Sequence, residues 1–233
     1  MIWRWLTSFN LLAAGLCAAT VTGQVELTNS SDAAVQKHKN YSGVVLWLEP
    51  AERTALPTPA PRTVKMIQQD KHFLPHVVAI PVGGTVDLPN NDPFWHNAFS
   101  NSGAEPFDIG LYPPFTSRAH TFKHAGIVHV FCNIHSTMSA IIAVVPTPYY
   151  TVTPESGKFA IANVAPGDYE LRIYYERALP ENLKFLEHRI SVPEAGLALP
   201  LISISETGYV TAPHLNKHGK PYPPAIGPYS GKN

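Results

Sequence analysis

Apolar residues occur along the chain in short runs, and turn-forming residues such as Gly83-Gly84 and Ala125-Gly126 separate these runs. Short apolar runs that are bounded by such turns predict β-strands rather than helices. Before residue 146 the predicted strands are 24–27, 44–48, 64–67, 77–81, 85–88, 117–122, 127–132 and 139–145. This spacing of short strands is typical of a β-sandwich with Greek-key connections.

A different pattern follows residue 148, where apolar and polar residues alternate on both sides of the turn Ala165-Pro166-Gly167-Asp168. The alternating apolar residues are Phe159, Ile161, Val164, Tyr169, Leu171, Ile173 and Tyr175. Alternation of period two predicts a pair of half-buried strands, and a last strand is predicted at 187–192. From residue 206 onward five prolines and four glycines lie among polar residues, so residues 206–233 are predicted to form a flexible tail.

The first residues have the pattern of an export signal, with Arg4 as the only charge and an apolar run from about residue 6 to residue 21. The run is short for a membrane span, and cleavage is predicted after Gly23. Residues 1–23 would then be a signal peptide, and the mature protein would be periplasmic or extracellular without a membrane span. An uncleaved membrane anchor is the alternative interpretation.

The charges do not indicate a polyanionic partner. The chain has 17 basic and 17 acidic residues, and neither sign is concentrated in one stretch. Proteins that bind nucleic acid or anionic membranes carry a basic face, stripe or run. We therefore expect no nucleic-acid partner.

Removal of residues 1–23 would leave Cys132 as the only cysteine of the mature chain. Exported proteins use cysteines mainly in disulfide pairs. A single cysteine is therefore an inert buried thiol, an intermolecular bridge, a nucleophile or a metal ligand. Its neighbours in the sequence distinguish between these roles.

Cys132, His135 and Met138 follow one another at intervals of three residues, so that three soft donors can face one ion from a single loop. A second imidazole would complete the two-histidine, one-cysteine site with a weak methionine that suits copper. His96, in the loop after the strand at 85–88, is the best candidate, and the amide of Asn97 is expected to donate a hydrogen bond to the Cys132 loop. A buried thiol beside an unrelated histidine and a core methionine is the alternative. A zinc site would leave Met138 unexplained.

These residues resemble the cupredoxin family over residues 64–145, with the ligand spacing of amicyanin. The resemblance rests on Gly84-Thr85-Val86, on the loop from Asn91-Asp92-Pro93 to His96-Asn97, and on the Cys-x2-His-x2-Met segment. It implies a Greek-key β-sandwich at 62–147 and one mononuclear copper ion that is held by His96, Cys132, His135 and Met138. His135, on the exposed loop, is the expected exit point for the electron, and an unidentified redox partner is expected to dock near it. Four aromatic residues would form either an apolar rim around His135 or part of the core: Phe94, Trp95, Tyr112 and Phe115.

A second resemblance concerns the remaining residues. The pattern Gly157-Lys158-Phe159-Ala160-Ile161, followed by Val164-Ala165-Pro166-Gly167-Asp168-Tyr169, is similar to the carboxypeptidase regulatory-like family, a small transthyretin-like β-sandwich. Because that family opens with strands like those at 24–27 and 44–48, we expect a discontinuous domain of residues 24–61 and 148–205 with the cupredoxin inserted in it. Chains with both parts resemble exported proteins labelled methylamine utilisation proteins, although no residue here encodes such a substrate.

The expected fold is therefore all-β, and the expected function is one-electron transfer by a type 1 copper protein that is not an enzyme. Two alternatives of other classes stay open. One is a carrier or store of copper that has no redox partner, and the other is a structural protein of the cell envelope.

Overall fold

The computed structural model describes residues 18–52, 61–101 and 103–223, which form eighteen strands and two short helices. The strands are β1 Ala19–Thr28, β2 Val45–Pro50, β3 Thr63–Lys65, β4 Ile67–Gln69, β5 His72–Leu74, β6 Val77–Pro81, β7 Thr85–Pro89, β8 Phe99–Ser100, β9 Phe107–Asp108, β10 Ser117–Thr121, β11 Gly126–Phe131, β12 Ser139–Val145, β13 Tyr150–Val152, β14 Lys158–Val164, β15 Gly167–Tyr174, β16 His188–Val192, β17 Leu197–Ala198 and β18 Ile202–Ser205. The helices are α1 Ala33–His38 and α2 Pro180–Lys184. The prediction of an all-β protein is confirmed.

One sandwich combines residues from both ends of the described chain. In its first sheet β1 pairs with β14 on one side and with β17 and β18 on the other, and its second sheet has the order β13-β2-β15-β16. Alternate side chains of the two sheets, such as Val25, Leu46, Ile161 and Leu171, form one buried core. Residues 19–50 thus pair across the intervening segment with residues 150–205, while the family of this sandwich stays a prediction.

The intervening segment forms the other sandwich. Its larger sheet has the order β6-β12-β11-β8-β9, and its smaller sheet has the order β10-β7-β3. The core between them contains Val86, Val130, Ile142, Cys132 and Met138. Cys132 and Met138 come directly after β11 and directly before β12, so that both lie at one end of this core.

The two sandwiches pack against each other through a third apolar layer. Val45 of β2 meets Val77, Ala79, Ile141 and Ala143 of β6 and β12 in this layer. Because β6 and β12 are covered on both faces, almost every residue in them is buried. This burial explains why their sequences are continuous apolar runs instead of alternating patterns.

The structure differs from the prediction at the boundary of the signal peptide. Strand β1 begins at Ala19, and Val21 is fully buried in the core. Cleavage after Gly23 would remove the first half of a strand that pairs with β14 and β17. The folded part therefore includes residues 19–23. Residues 1–17 of the predicted signal lie outside the described residues. Residues 53–60 of the predicted discontinuous domain lie outside them too.

The prediction of a flexible tail is wrong for residues 206–223. Glu206 bonds to the first sandwich, and Lys217 and Tyr222 form hydrogen bonds with residues of the second one. The sequence misled here because prolines and glycines without apolar periodicity predict disorder, while this segment is held by polar contacts. Residues 224–233 lie outside the described residues.

Both helices in the described part of the chain are far shorter than a segment that crosses a bilayer, and neither is a candidate membrane span.

Candidate metal centre

The loop between β11 and β12 brings three sequence-predicted residues close together. The backbone N–H of Cys132 donates to the carbonyl of Met138 at 3.2 Å, and the N–H of Met138 donates to the carbonyl of His135 at 3.2 Å. These bonds close a tight loop between two antiparallel strands. The loop therefore holds the thiol, the imidazole and the thioether at one end of the sandwich.

A separate contact holds His96 opposite this loop. His96 and Tyr112 exchange two backbone hydrogen bonds, of 3.2 and 2.9 Å. The buried Tyr112 hydroxyl donates to the carbonyl of Leu88 at 2.7 Å, at the end of β7. The sequence analysis assigned Tyr112 either to an apolar rim around His135 or to the core. The structure places it in the core, where it fixes the segment that carries His96.

The donor atoms of three predicted ligands converge. Sγ of Cys132 lies 3.8 Å from Nδ1 of His96 and 3.6 Å from Nδ1 of His135. Their ligand atoms form the one cluster of metal-binding type found among the described residues. Met138 is fully buried and shares the core with Cys132.

The donor set fits a metal ion. Bonds of a first-row ion such as zinc to sulfur and imidazole nitrogen are about 2.3 and about 2.0 Å long. Two such bonds at a tetrahedral or trigonal angle separate S and N by about 3.5–3.7 Å, which is close to both observed distances. A thiolate, two imidazoles and a thioether are the soft set that favours copper.

Burial affects the charge of all three groups. It lowers the pKa of His135 to about 4, with the nearby His96 as the second cause. It also lowers the pKa of His96, although the Asp92 carboxylate acts in the opposite direction. Both imidazoles are therefore neutral at pH 7 and keep a lone pair for a metal.

The pKa of the Cys132 thiol shifts in the opposite direction from the pKa values of the two histidines. Burial raises its pKa, against the effect of backbone N–H groups of Ile134, Asn97 and His135. Without a metal the thiol is therefore protonated at neutral pH, and metal binding must displace its proton.

Asp92 is a site residue to which the sequence analysis assigned no role. Its Oδ2 lies 2.7 Å from Nε2 of the fully buried His96. Because the carboxylate can only accept, Nε2 carries the proton and Nδ1 is left as the acceptor that faces Cys132. The signal in the sequence is the four-residue interval between Asp92 and His96.

Asn97 connects the two ligand segments, but the direction of its hydrogen bond to the Cys132 loop is the reverse of the predicted one. Its Oδ1 accepts from the N–H of Asn133 at 3.2 Å, whereas its Nδ2 donates to Oδ1 of Asp108 at 2.7 Å. The contact with the Cys132 loop is therefore present, and the amide accepts instead of donating. Asn97 is buried, so each of these bonds replaces a lost contact with water.

The loop that carries His135 is exposed at Ser136 and Thr137, but the His135 side chain itself is buried. His135 is only 3% exposed, and the ring of Phe94 meets it edge-on at 5.6 Å between centroids. The same ring contacts His96 at 5.2 Å. Phe94 therefore packs against both histidine rings, and the next residue, Trp95, is half-exposed.

The described residues thus form a β-sandwich with a buried site of two histidines, a cysteine and a methionine at one end. Three of the similar solved structures are a purple cupredoxin from Nitrosopumilus maritimus, amicyanin from Paracoccus versutus and a copper-containing nitrite reductase from Thermus scotoductus.

The purple cupredoxin is 22% identical, with a TM-score of 0.32, and the match covers 35% of this chain and 98% of that one. Amicyanin is 23% identical, with a TM-score of 0.34, and the match covers 42% of this chain and 97% of that one. The nitrite reductase is 25% identical, with a TM-score of 0.34, and the match covers 52% of this chain and 28% of that one. No family model and no curated relative matches the chain. With TM-scores this low, the side chains of the site carry the functional argument.

Proposed function

We propose that this chain is an exported protein that holds one copper ion through His96, Cys132, His135 and Met138 and carries single electrons. The observation that carries the proposal is the convergence of the buried Cys132 sulfur with the two imidazole nitrogens at 3.6 and 3.8 Å. When bound, copper would supply a one-electron couple between Cu(I) and Cu(II).

The chain's own groups would prepare the site for this role. Cys132 supplies the thiolate, and Asp92 fixes the proton of His96 on Nε2 so that Nδ1 can bind. His135 supplies the second neutral imidazole and Met138 the weak fourth donor. Because the four residues that would bind the ion are at most 3% exposed, water is largely excluded and the donors are positioned before the ion arrives. Such a site suits electron transfer better than catalysis, for which a ligand position would have to be open to substrate.

A copper carrier or store is the competing proposal. A carrier must release its ion readily, which favours exposed donors on a mobile loop. Here the loop is closed by backbone hydrogen bonds between Cys132, Met138 and His135, and the donors are buried. These features favour retention of the ion.

Absorption spectroscopy after addition of one equivalent of Cu(II) tests the proposal. We expect an intense thiolate-to-copper band in the wild type, its loss in Cys132→Ser, and no change in His124→Gln, which replaces an exposed histidine elsewhere in the sandwich. Voltammetry should then show a reversible one-electron wave. A pale wild-type complex would contradict the copper–thiolate bond, and rapid loss of copper to a chelator would favour the carrier.

We also propose where a redox partner docks. The ring of Phe94 packs edge-on against the buried His135 ring, and the next residue, Trp95, is exposed. The exposed Phe115 is held near Phe94, because its backbone N–H donates to the carbonyl of Asn90 at 2.8 Å and the Asn90 amide donates to the carbonyl of Phe94 at 2.9 Å. The partner itself and its substrate are left open. A Phe115→Ser variant should weaken partner binding without changing the absorption band.

A further inference from the structure

The segment after β18 joins the two sandwiches. Its first residue, Glu206, donates its backbone N–H to the carbonyl of Thr28 and accepts hydrogen bonds from Tyr175 and Arg177 at 3.1 and 3.0 Å. These contacts anchor the beginning of the segment on the first sandwich. The segment then crosses to the second sandwich and reaches the candidate metal centre.

At the centre, the segment bonds to the loop that carries Cys132. The Tyr222 hydroxyl donates to the carbonyl oxygen of Cys132 at 2.7 Å. One residue further along the loop, Oδ1 of Asn133 accepts the backbone N–H of Lys217 at 3.0 Å. Two positions of the segment thus hold two successive residues of the ligand loop.

The same segment also reaches the side that carries His96. The Lys217 ammonium lies 2.8 Å from Oδ2 of Asp108, whose other oxygen accepts from Asn97. The carbonyl of Lys217 accepts from the side chain of Asn101 at 3.0 Å. Lys217 therefore connects through Asp108 to Asn97, the residue directly after His96.

Ring contacts reinforce these hydrogen bonds. The imidazole of His214 stacks on Phe131, the residue before Cys132, with ring centroids 4.1 Å apart. Tyr222 meets His214 edge-on at 5.2 Å and lies 3.2 Å from its Nδ1. The aromatic stack covers the end of β11 where the ligand loop begins.

We propose that Tyr222 and Lys217 are positioning residues of the metal centre, so that the segment from His214 to Tyr222 holds the two ligand segments in their metal-binding arrangement. The inference rests on the proposed function, because it concerns copper binding at the same site. A loop that is ordered before the ion binds loses less conformational entropy on binding. The segment should therefore raise affinity and slow release of the ion.

The two residues should also favour the reduced state. A hydrogen bond to the Cys132 carbonyl withdraws electron density from the ligand residue, and the Lys217 ammonium adds positive charge beside the loop. Reduction lowers the positive charge of the site, so nearby positive potential stabilises it. Removal of either group should shift the reduction potential to lower values.

Matched variants of the full-length protein test the inference. Tyr222→Phe keeps the ring and removes only the hydroxyl, and its control is Tyr209→Phe in the same segment, where the ring lies against Arg177. Lys217→Met is paired with Lys220→Met, because the exposed Lys220 side chain forms no ion pair among the described residues. The readouts are the rate of copper release to a chelator, the reduction potential, and amide hydrogen exchange of residues 132–138 in the metal-free protein.

We expect Tyr222→Phe to accelerate copper release by about tenfold, the effect of one net hydrogen bond, to lower the potential, and to increase exchange in the loop. Both controls should behave like the wild type. Unchanged release, potential and exchange in both test variants would overturn the inference. If the wild type lacks the thiolate band while Tyr222→Phe still increases exchange at 132–138, the proposed function fails and the positioning role is retained.

Discussion

Oδ2 of Asp92 lies 2.7 Å from Nε2 of His96, and both residues are buried. The same carboxylate accepts the backbone N–H groups of Asp70 and Lys71 at 2.7 and 3.0 Å. Burial would raise the pKa of Asp92, but the hydrogen bond from His96 and the two backbone hydrogen bonds outweigh it and lower the pKa. One ionised carboxylate thus orients a candidate ligand and fixes the turn beside it.

Asp92→Asn should weaken both the orientation of His96 and the turn at Asp70 and Lys71. An amide has only one acceptor oxygen and presents N–H groups to the other donors. We expect the free energy of unfolding of the metal-free protein to fall by about 1–3 kcal/mol. Metal affinity should fall about 10–100-fold, as is usual when the carboxylate partner of a ligating histidine is removed. Chemical denaturation and a chelator titration measure the two effects.

The control for this prediction is Asp70→Asn, which makes the same chemical change at an exposed neighbouring residue whose contact with Asp92 is through the backbone. It should leave both quantities unchanged. Equal metal affinity in Asp92→Asn and the wild type would show that the carboxylate serves only the turn.

Metal binding at pH 7 should release about one proton per ion. The thiol of Cys132 is protonated because burial raises its pKa, whereas His135, with a pKa lowered to about 4, and His96 are already neutral. Only the thiol therefore has a proton to lose. Calorimetric titration with Co(II) in two buffers of different ionisation enthalpy gives the number of protons.

The number should rise above one near pH 4, where His135 becomes protonated in the metal-free protein. Cys132→Ser should release none at pH 7, and His124→Gln should match the wild type. Release of two protons at pH 7 would mean that one imidazole is charged before the metal binds.

Much of the centre could be predicted from local sequence, because Cys132, His135 and Met138 belong to one short loop with fixed spacing. The strands β6 and β12 could be predicted with their observed bounds for a similar reason, since continuous apolar runs between turns leave little choice of register. His96 lies 36 residues from Cys132, and it is selected by its place in the loop after the strand at 85–88 and by the neighbouring Asn97, before the family resemblance supports it.

Contacts made by polar side chains over long distances in the chain could not be predicted. The hydrogen bond from Tyr222 to Cys132 spans 90 residues, and no periodic pattern marks either partner. The burial of His135 depends on the orientation of Phe94, which spacing does not encode. The early start of β1 was missed because residues 19–23 have the same apolar character as the export signal that precedes them.

The layer between the sandwiches should couple their stabilities. Ile141 of β12 points into this layer, and the adjacent Ile142 points into the core beside the metal centre. Replacement of either by alanine should cost about 2–5 kcal/mol, because both are fully buried. Ile141→Ala should also reduce the protection of β2 in amide hydrogen exchange, whereas Ile142→Ala should act mainly on β7. Identical exchange patterns in the two variants would contradict coupling through this layer.

A pH-dependent ion pair crosses the same boundary. Nε2 of His76, just before β6, lies 2.6 Å from Oε2 of Glu176, just after β15. The hydrogen bond to Glu176 raises the pKa of His76 despite partial burial, and the pKa of Glu176 is lowered because its bonds to His76 and the charges of His129 and Arg177 outweigh burial.

The sign of each shift defines the pH window of the pair. A raised pKa of His76 stabilises the fold fully below its ordinary value of 6.5, and this contribution is lost as pH rises through the folded-state pKa. A lowered pKa of Glu176 stabilises the fold above its ordinary value of 4.5, and this contribution is lost as pH falls through the folded-state pKa. Both contributions are complete between pH 4.5 and 6.5.

His76→Gln should therefore destabilise the protein most between pH 4.5 and 6.5, by at most about 1 kcal/mol because the pair is partly exposed to solvent. The difference from the wild type should shrink above this range as His76 loses its proton. Urea denaturation across pH 4–9 measures it, with His72→Gln as a control at an exposed histidine without a carboxylate partner among the described residues. A double-mutant cycle with Glu176→Gln isolates the pair from the effect of His129. A destabilisation that is constant with pH would show that His76 contributes through packing instead of charge.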